Sequence, residues 1–548
     1  MFSKKPVFKI LSSFVLAVLL FASCEQPPGT IPETPETPDT PEIPGTYIEI
    51  SIFSSADMAK IGVDSAYPLS AIYSLTSDIT LENWTPIGSA AKPFYGVFDG
   101  NGKTVTLKSF APTAVSGNNY LGIFGYVKGA SSRKAEIKNL TIDSSVNVST
   151  TAVKQTIGLL TGYAELAEIT DIALSGTFIF NSSKTILLGG VAGYINQSGT
   201  IIKDCNSSMT MNITPGNGSG LTTYNFVGGF AGMFDGGSGI ENCRNTGDVN
   251  AISEVSGSQI FVGGITGGSA YTMNTTYKGY IQDCSFTGTI VGKAKGFWTF
   301  AGGIAGAIVG GDANSLGNTT RIVRCFAEGT ISAAGTGSGN PYIGGIVGYN
   351  YYGALVSQSY FNGTVIADKT GDYTGGIAGY NSQTGTPNNS RIEDCWSAGE
   401  VKGFNNSGGI VGQNQENAYI RRCYSTAKVS VTNNASTGVG GIAGMNASAQ
   451  TDAVTACVAL NQSLTAPKGN NIHRVTGAAD GNRSNNHAWM EMPVTTGGTY
   501  TERKGDTLAD GADCAEKPEQ SFYAGFGWDF INVWKMGSDG CPKLLWQD

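Results

Sequence analysis

Ten cysteines, two histidines and a set of recurrent aspartates are the residues of this 548-residue chain best suited to chemistry. Seven of the cysteines, Cys205, Cys243, Cys284, Cys325, Cys395, Cys423 and Cys457, each close a segment of the form Ile-x-Asp-Cys or a near variant. Such a series could form disulfides, hold a metal or pack as a column of small apolar side chains. The same position is Leu140, Ile172 and Ser359 in other copies, which favours packing. Stacked strands also hold equivalent Cβ atoms ~4.8 Å apart, beyond the usual separation across a disulfide. Cys514 and Cys541 lie outside the series, and a bridge between them is left open. Asp204, Asp283 and Asp394 precede ladder cysteines. Isoleucine and cysteine stand three apart, so both face inward only if the chain bends between them, and Asp or Asn tolerates the left-handed backbone of such a corner. These carboxylates are therefore read as corners rather than as acids or bases. Asp99-Gly-Asn-Gly102 is read as a turn into the first coil rather than a calcium loop, because the remaining ligand pattern is missing.

The elements that must carry these residues come from a second signature in step with the first. GGIAG or a close variant starts at Gly189, Gly228, Gly263, Gly302, Gly344, Gly375, Gly408 and Gly440, after worn copies at Leu121 and Gly158. Successive copies begin 31 to 42 residues apart, the period of a solenoid whose coils share one core. The expected fold class is all-β, a parallel β-helix of right-handed type with about ten coils (residues 95–465). A cap over 47–94, with a short helix at the open end, and a closing segment over 466–548 flank it. The outward positions of GGIAG are read as its second glycine and its alanine, leaving a nearly bare face. The residue after the ladder cysteine should also face outward, and in four consecutive coils it is Phe326, Tyr360, Trp396 and Tyr424. Four stacked rings make an apolar ribbon roughly 15 Å long, suited to sugar faces or a partner's apolar strip unless loops or the C-terminal segment cover it.

Composition bounds the function. Charged residues are 14 % of the chain and the net charge is -8, so no basic footprint for nucleic acid exists. Lys4, Lys5 and Lys9 precede an apolar run from Ile10 to Ala22, which reads as an export signal over 1–23. Phe21-Ala22-Ser23-Cys24 resembles the lipobox of bacterial lipoproteins, which implies lipidation of Cys24 and a membrane partner through that lipid alone. Residues 24–46 are rich in Pro, Thr and Glu, an extended acidic stalk. At ~3.1 Å per residue, twenty of them would lift the body roughly 60 Å from a membrane.

The GGIAG segments resemble the GLUG motif of bacterial surface proteins. Ser55–Ile61, Tyr73–Ile79, Trp84–Gly88 and Phe94–Gly102 resemble the entry of such solenoids, and Asn485–Ala488, Gly527–Phe530 and Trp534 their close. Some GLUG proteins are IgA-cleaving metallopeptidases with a His-Glu-x-x-His zinc helix. Neither His473 nor His487 has that pattern, which excludes the activity here. No nucleophile with a base, phosphate loop or cofactor motif emerges, and no cofactor or metal is expected. The resulting expectation is a non-enzymatic lipoprotein of the outer membrane or cell surface that acts in adhesion or in glycan or protein binding. A carbohydrate-active enzyme on a β-helix and a purely structural envelope protein are the alternatives.

Overall fold

The computed structural model describes residues 48–547 apart from 112–118, 151–154, 198, 217–223, 270–278, 312–318, 337–338, 369–372, 384–388, 434–437 and 468–470. The expectations for the leader 1–23, Cys24 and the stalk to residue 46 lie outside these residues. The body is all-β and built of parallel sheets, as the repeat predicts. A 32-stranded sheet (sheet 1) and two 11-stranded sheets (sheets 2 and 3) run its length. A typical coil passes through Thr299–Gly302 in sheet 2, Ala305–Val309 in sheet 3, then Arg321–Val323, Phe326–Ala327 and Thr330–Thr336 in sheet 1. The next coil opens at Pro341–Gly344, paired in register with Thr299–Gly302.

The bend before the ladder cysteine forms as the spacing requires. Asn139, Asp171, Asp204, Asn242, Asp283, Arg324, Gln358, Asp394, Arg422, Ala456 and Asn485 all adopt positive φ. Ile281 and Cys284 are consequently both buried. Bulkier residues pay for this backbone with lateral pairing: Arg324 donates to Asp283 at 2.7 and 2.8 Å, and Arg422 donates twice to Asp394 at 2.7 Å. Asp99 accepts from the Asn101 amide at 2.7 Å, and Asp99–Gly102 forms a bulge within the strand Val97–Leu107 rather than the expected turn into the first coil, because Asn101 and Gly102 take positive φ without ending the strand.

The glycine corner differs from its expected form. The second glycine faces inward: a Cβ on Gly345 would lie 2.1 Å from the Phe361 ring, and one on Gly303 2.5 Å from the Ala327 Cβ. Ala305 is in the core as well. The first and third glycines face outward, yet a Cβ on Gly302 would lie 2.7 Å from Val347 Cα and one on Gly306 2.6 Å from Val262 N. The chain turns from sheet 2 to sheet 3 between Gly303 and Ala305, which resets strand alternation. The two sheets then close against each other backbone to backbone, so there is no bare face.

Two ladders fill the interior. All seven column cysteines are free and buried, as are Cys514 and, in part, Cys541. Burial pushes the thiols of Cys243, Cys325, Cys395 and Cys457 well up, so they pack as neutral groups. Their sulfurs donate to the carbonyl two residues back, as Cys395 does to Glu393 at 3.1 Å. Beneath sheet 3, Asn350, Asn381, Asn414 and Asn446 pass amide hydrogen bonds along the axis at 2.8, 2.8 and 3.1 Å.

The ends extend the solenoid beyond the expected boundaries. Glu49–Ile52 and Ile72–Leu75 already pair in parallel within sheet 1, and the helix Ser55–Met58, capped by Ser54, buries Met58. Sheets 2 and 3 continue past residue 465 to Ile472–His473 and Thr476–Ala478, an eleventh coil. There Arg474 stands where the second glycine should be. It is fully buried, its amide donates to Asp510 at 2.7 Å, and its guanidinium lies 2.8 Å from Asp513.

Candidate functional site

On sheet 1 the residue after the ladder position points outward, and Phe326, Tyr360, Trp396 and Tyr424 are register neighbours. Their rings stack at 5.0, 4.6 and 5.8 Å with planes within 12°. The ribbon expected to take a ligand is nevertheless closed. Tyr360, Trp396 and Tyr424 retain 9, 5 and 1 % exposure, because the helix Gln520–Ala524 and the hairpin of Trp534–Met536 with Pro542–Leu544 belong to a segment that packs over them. Trp528 donates to the Ala456 carbonyl at 2.9 Å, Trp546 to the Gln358 carbonyl at 3.0 Å, and Trp396 to Gln547 at 2.9 Å. The Lys543 ammonium sits 4.3 Å above the Trp396 ring. These four residues therefore dock the chain's own C-terminus, a contact between regions far apart in sequence.

A second aromatic column lies on the outside of the glycine corner. The residue two before the first glycine is Phe226, Phe261, Phe300, Tyr342 and Tyr373 in consecutive coils. Their rings stack at 4.5, 4.5, 4.9 and 5.2 Å. Across the corner, the residue after the third glycine supplies Tyr126, Tyr163, Tyr194, Tyr349 and Tyr380 in sheet 3. The two rows touch: Tyr342 lies 5.8 Å from Tyr349 and 5.3 Å from Tyr380. Glycine at the apex makes this possible, since only bare backbone lets the outer faces of two sheets converge. The resulting seam is an apolar cluster whose members belong to sheets 2 and 3 and to the lead-in residue Trp298. No element comparable to the C-terminal segment contributes to it among the described residues. Tyr342, Tyr349 and Tyr373 remain part-exposed.

The profile of the GLUG motif matches residues 339–366. The chain is a GLUG-containing repeat protein. The matched GLUG repeat contains both corners of one coil, Gly344–Gly348 between sheets 2 and 3 and Gln358 before the ladder position Ser359. It also contains Tyr342 and Tyr349, so this GLUG unit contributes one ring to each row of the seam. A solved structure described as a putative immunoglobulin A1 protease from Bacteroides ovatus aligns over 91 % of this chain and 93 % of its own, at 15 % identity and a TM-score of 0.27. That score is too low to carry an argument. No curated protein matches the chain.

Within the GLUG seam the phenols are neutral donors: burial, reinforced by neighbouring phenols, pushes Tyr342, Tyr349 and Tyr380 well up. Tyr380 donates to Gln415 at 2.7 Å, and Asn196 donates to Tyr163 at 3.1 Å. The seam thus offers the edges of stacked rings beside hydroxyl and amide groups. Among the described residues no group of three His, Cys, Asp or Glu gathers to hold a metal, and no helix is long and apolar enough to cross a membrane. His473 contacts Asp510 at 2.9 Å, and His487 stacks on Phe526, so both histidines serve the C-terminal packing. The seam's residues were visible as Phe-Val-Gly-Gly, Tyr-Ile-Gly-Gly and Gly-Tyr repeats flanking the motif. The expectation of a nearly bare face at this corner passed over them.

Proposed function

We propose that this protein is a lipid-anchored, non-catalytic surface lipoprotein whose solenoid binds an extended glycan along the seam of sheets 2 and 3. The double row of Phe and Tyr rings carries the reading: Phe226, Phe261, Phe300 and Tyr380 are buried in the notch, while Tyr342, Tyr349 and Tyr373 stay part-exposed along it. Sugar rings present an apolar face and a polar rim, which can lie along the apolar ring edges of the seam with tyrosine hydroxyls and Gln415 beside them. The coil-to-coil repeat offers equivalent edges at about the spacing of strands, so neighbouring sugars could be engaged by neighbouring coils and weak contacts add along a polymer. The export signal, Cys24 and the stalk support display away from a membrane. A glycan array with the full chain tests the binding, and protease shaving of intact cells tests the location. Survival of the protein on shaved cells defeats the surface reading. An array without a ligand, or one whose ligand is held equally by Tyr349→Ala with Tyr380→Ala, defeats the seam.

A further inference from the structure

The covered column of sheet 1 ends abruptly, and its end is shaped to receive a ring. Toward the N-terminus the register neighbour of Phe326 is Ser285, and the neighbour of Ser285 is Arg244. From Tyr424 to Phe326 each step holds a stacked ring, but at Ser285 there is none. Two strand spacings separate Arg244 from Phe326, ~9.6 Å, with only a serine between them. A groove of about 490 Å³ opens there, with Ser285 in its lining, Phe326 and Trp546 at one end and Arg244 toward the other. The C-terminal segment reaches this boundary, with Trp546 6.3 Å from Phe326.

The charges around the groove narrow the ligand. Asp283 is held by both nitrogens of Arg324, and Asp204 accepts from Asn242 at 2.6 Å, so the carboxylates are engaged. Arg244 is exposed and takes part in none of the ion pairs of the described residues. We infer that the groove is a binding site for a single acidic pyranose, its ring face on Phe326 and its carboxylate on Arg244. The polar rim of Asp283 and Arg324 matches the hydroxyls of a sugar rather than the bare edge of an aromatic ligand. The site is separate from the seam and stands or falls independently of it.

Calorimetric titration of the full chain with glucuronate, glucose and indole tests the site. Glucuronate binds with a Kd on the order of a millimolar, more tightly than glucose. Arg244→Ala lowers glucuronate affinity about tenfold and leaves glucose unchanged. Ser285→Trp abolishes both, because an added indole extends the stack onto Phe326 as Trp396, three coils along, stacks on Tyr360, and its melting temperature does not fall. Tyr349→Ala leaves glucuronate binding intact. The site is refuted if wild type binds no glucuronate, if indole binds better, or if Ser285→Trp binds as wild type does. Loss of glucuronate binding in Tyr349→Ala would move the ligand to the seam and also overturn the inference.

Discussion

The solenoid carries two aromatic columns on its outside, built by the same rule and put to opposite uses. Both arise because one outward position per coil repeats in register, so rings stack at about the strand spacing. The column from Phe326 to Tyr424 sits on a flat sheet and is covered by the C-terminal segment. The column from Phe226 to Tyr373 sits in a notch between two sheets, where it meets Met233, Gly268 and Ala307 and then the rings of Tyr349 and Tyr380. The difference lies in what fills the second side. A ring on a flat face needs a separate element to bury it, whereas the notch between two sheets buries Phe226, Phe261 and Phe300 and leaves Tyr342, Tyr349 and Tyr373 part-exposed. A glycine corner can therefore bury an aromatic row between two sheets of the same repeat, with no separate segment contributing among the described residues.

Removing the cover should have the largest effect. Trp534 is fully buried over the flat column, and Trp534→Ala should cost about 3–5 kcal/mol, seen in a urea melt, with early proteolysis of the C-terminal segment. Unchanged protease resistance would show that the cover does not depend on this anchor. Tyr424→Ala should cost about 3 kcal/mol while leaving any glycan affinity as it was. Should affinity fall with the fold intact, the two columns would have to exchange roles. In the notch the balance reverses: Tyr349→Ala with Tyr380→Ala should cost roughly 1 kcal/mol per ring in stability but weaken an array ligand about tenfold.

Acid should separate the regions more gently. The His487 imidazole, buried against Phe522 and Phe526, titrates below its ordinary 6.5. The unfolded chain then binds its proton more readily, so stability contributed there is full above 6.5 and declines as pH drops below it. Hydrogen bonds from His473, Tyr500 and two backbone amides outweigh burial and hold Asp510 at about 2. Its contribution is full above 3.8 and fades as pH falls toward 2. Hydrogen exchange should therefore report loosening of the C-terminal region on acidification, first near His487 and then near Asp510, while the seam stays protected. Equal loosening of both regions would contradict this assignment.

The parallel solenoid, the left-handed corner and the cysteine packing column were legible in the sequence, because each follows from a spacing of three within a fixed repeat. The orientation of the glycine corner was not. Strand alternation places the second glycine and the alanine outward, but the turn between Gly303 and Ala305 resets the phase, and only three-dimensional packing shows that Gly345 makes room for Phe361. The ring stack from Phe326 to Tyr424 was found by register alone. Its cover was not, since the contacts of Trp528, Trp534 and Trp546 join residues separated by 72, 140 and 188 positions.

Arg474 sets the final described coil of sheets 2 and 3 apart from those before it. Eight earlier coils have glycine at this position and one has Leu159, whereas Arg474 ties its amide to Asp510 and its guanidinium to Asp513 and the Trp489 carbonyl. Whole coils could be gained or lost upstream without disturbing this terminus. The reach of the solenoid could then vary as a tape lengthened from its middle, with an end that stays the same.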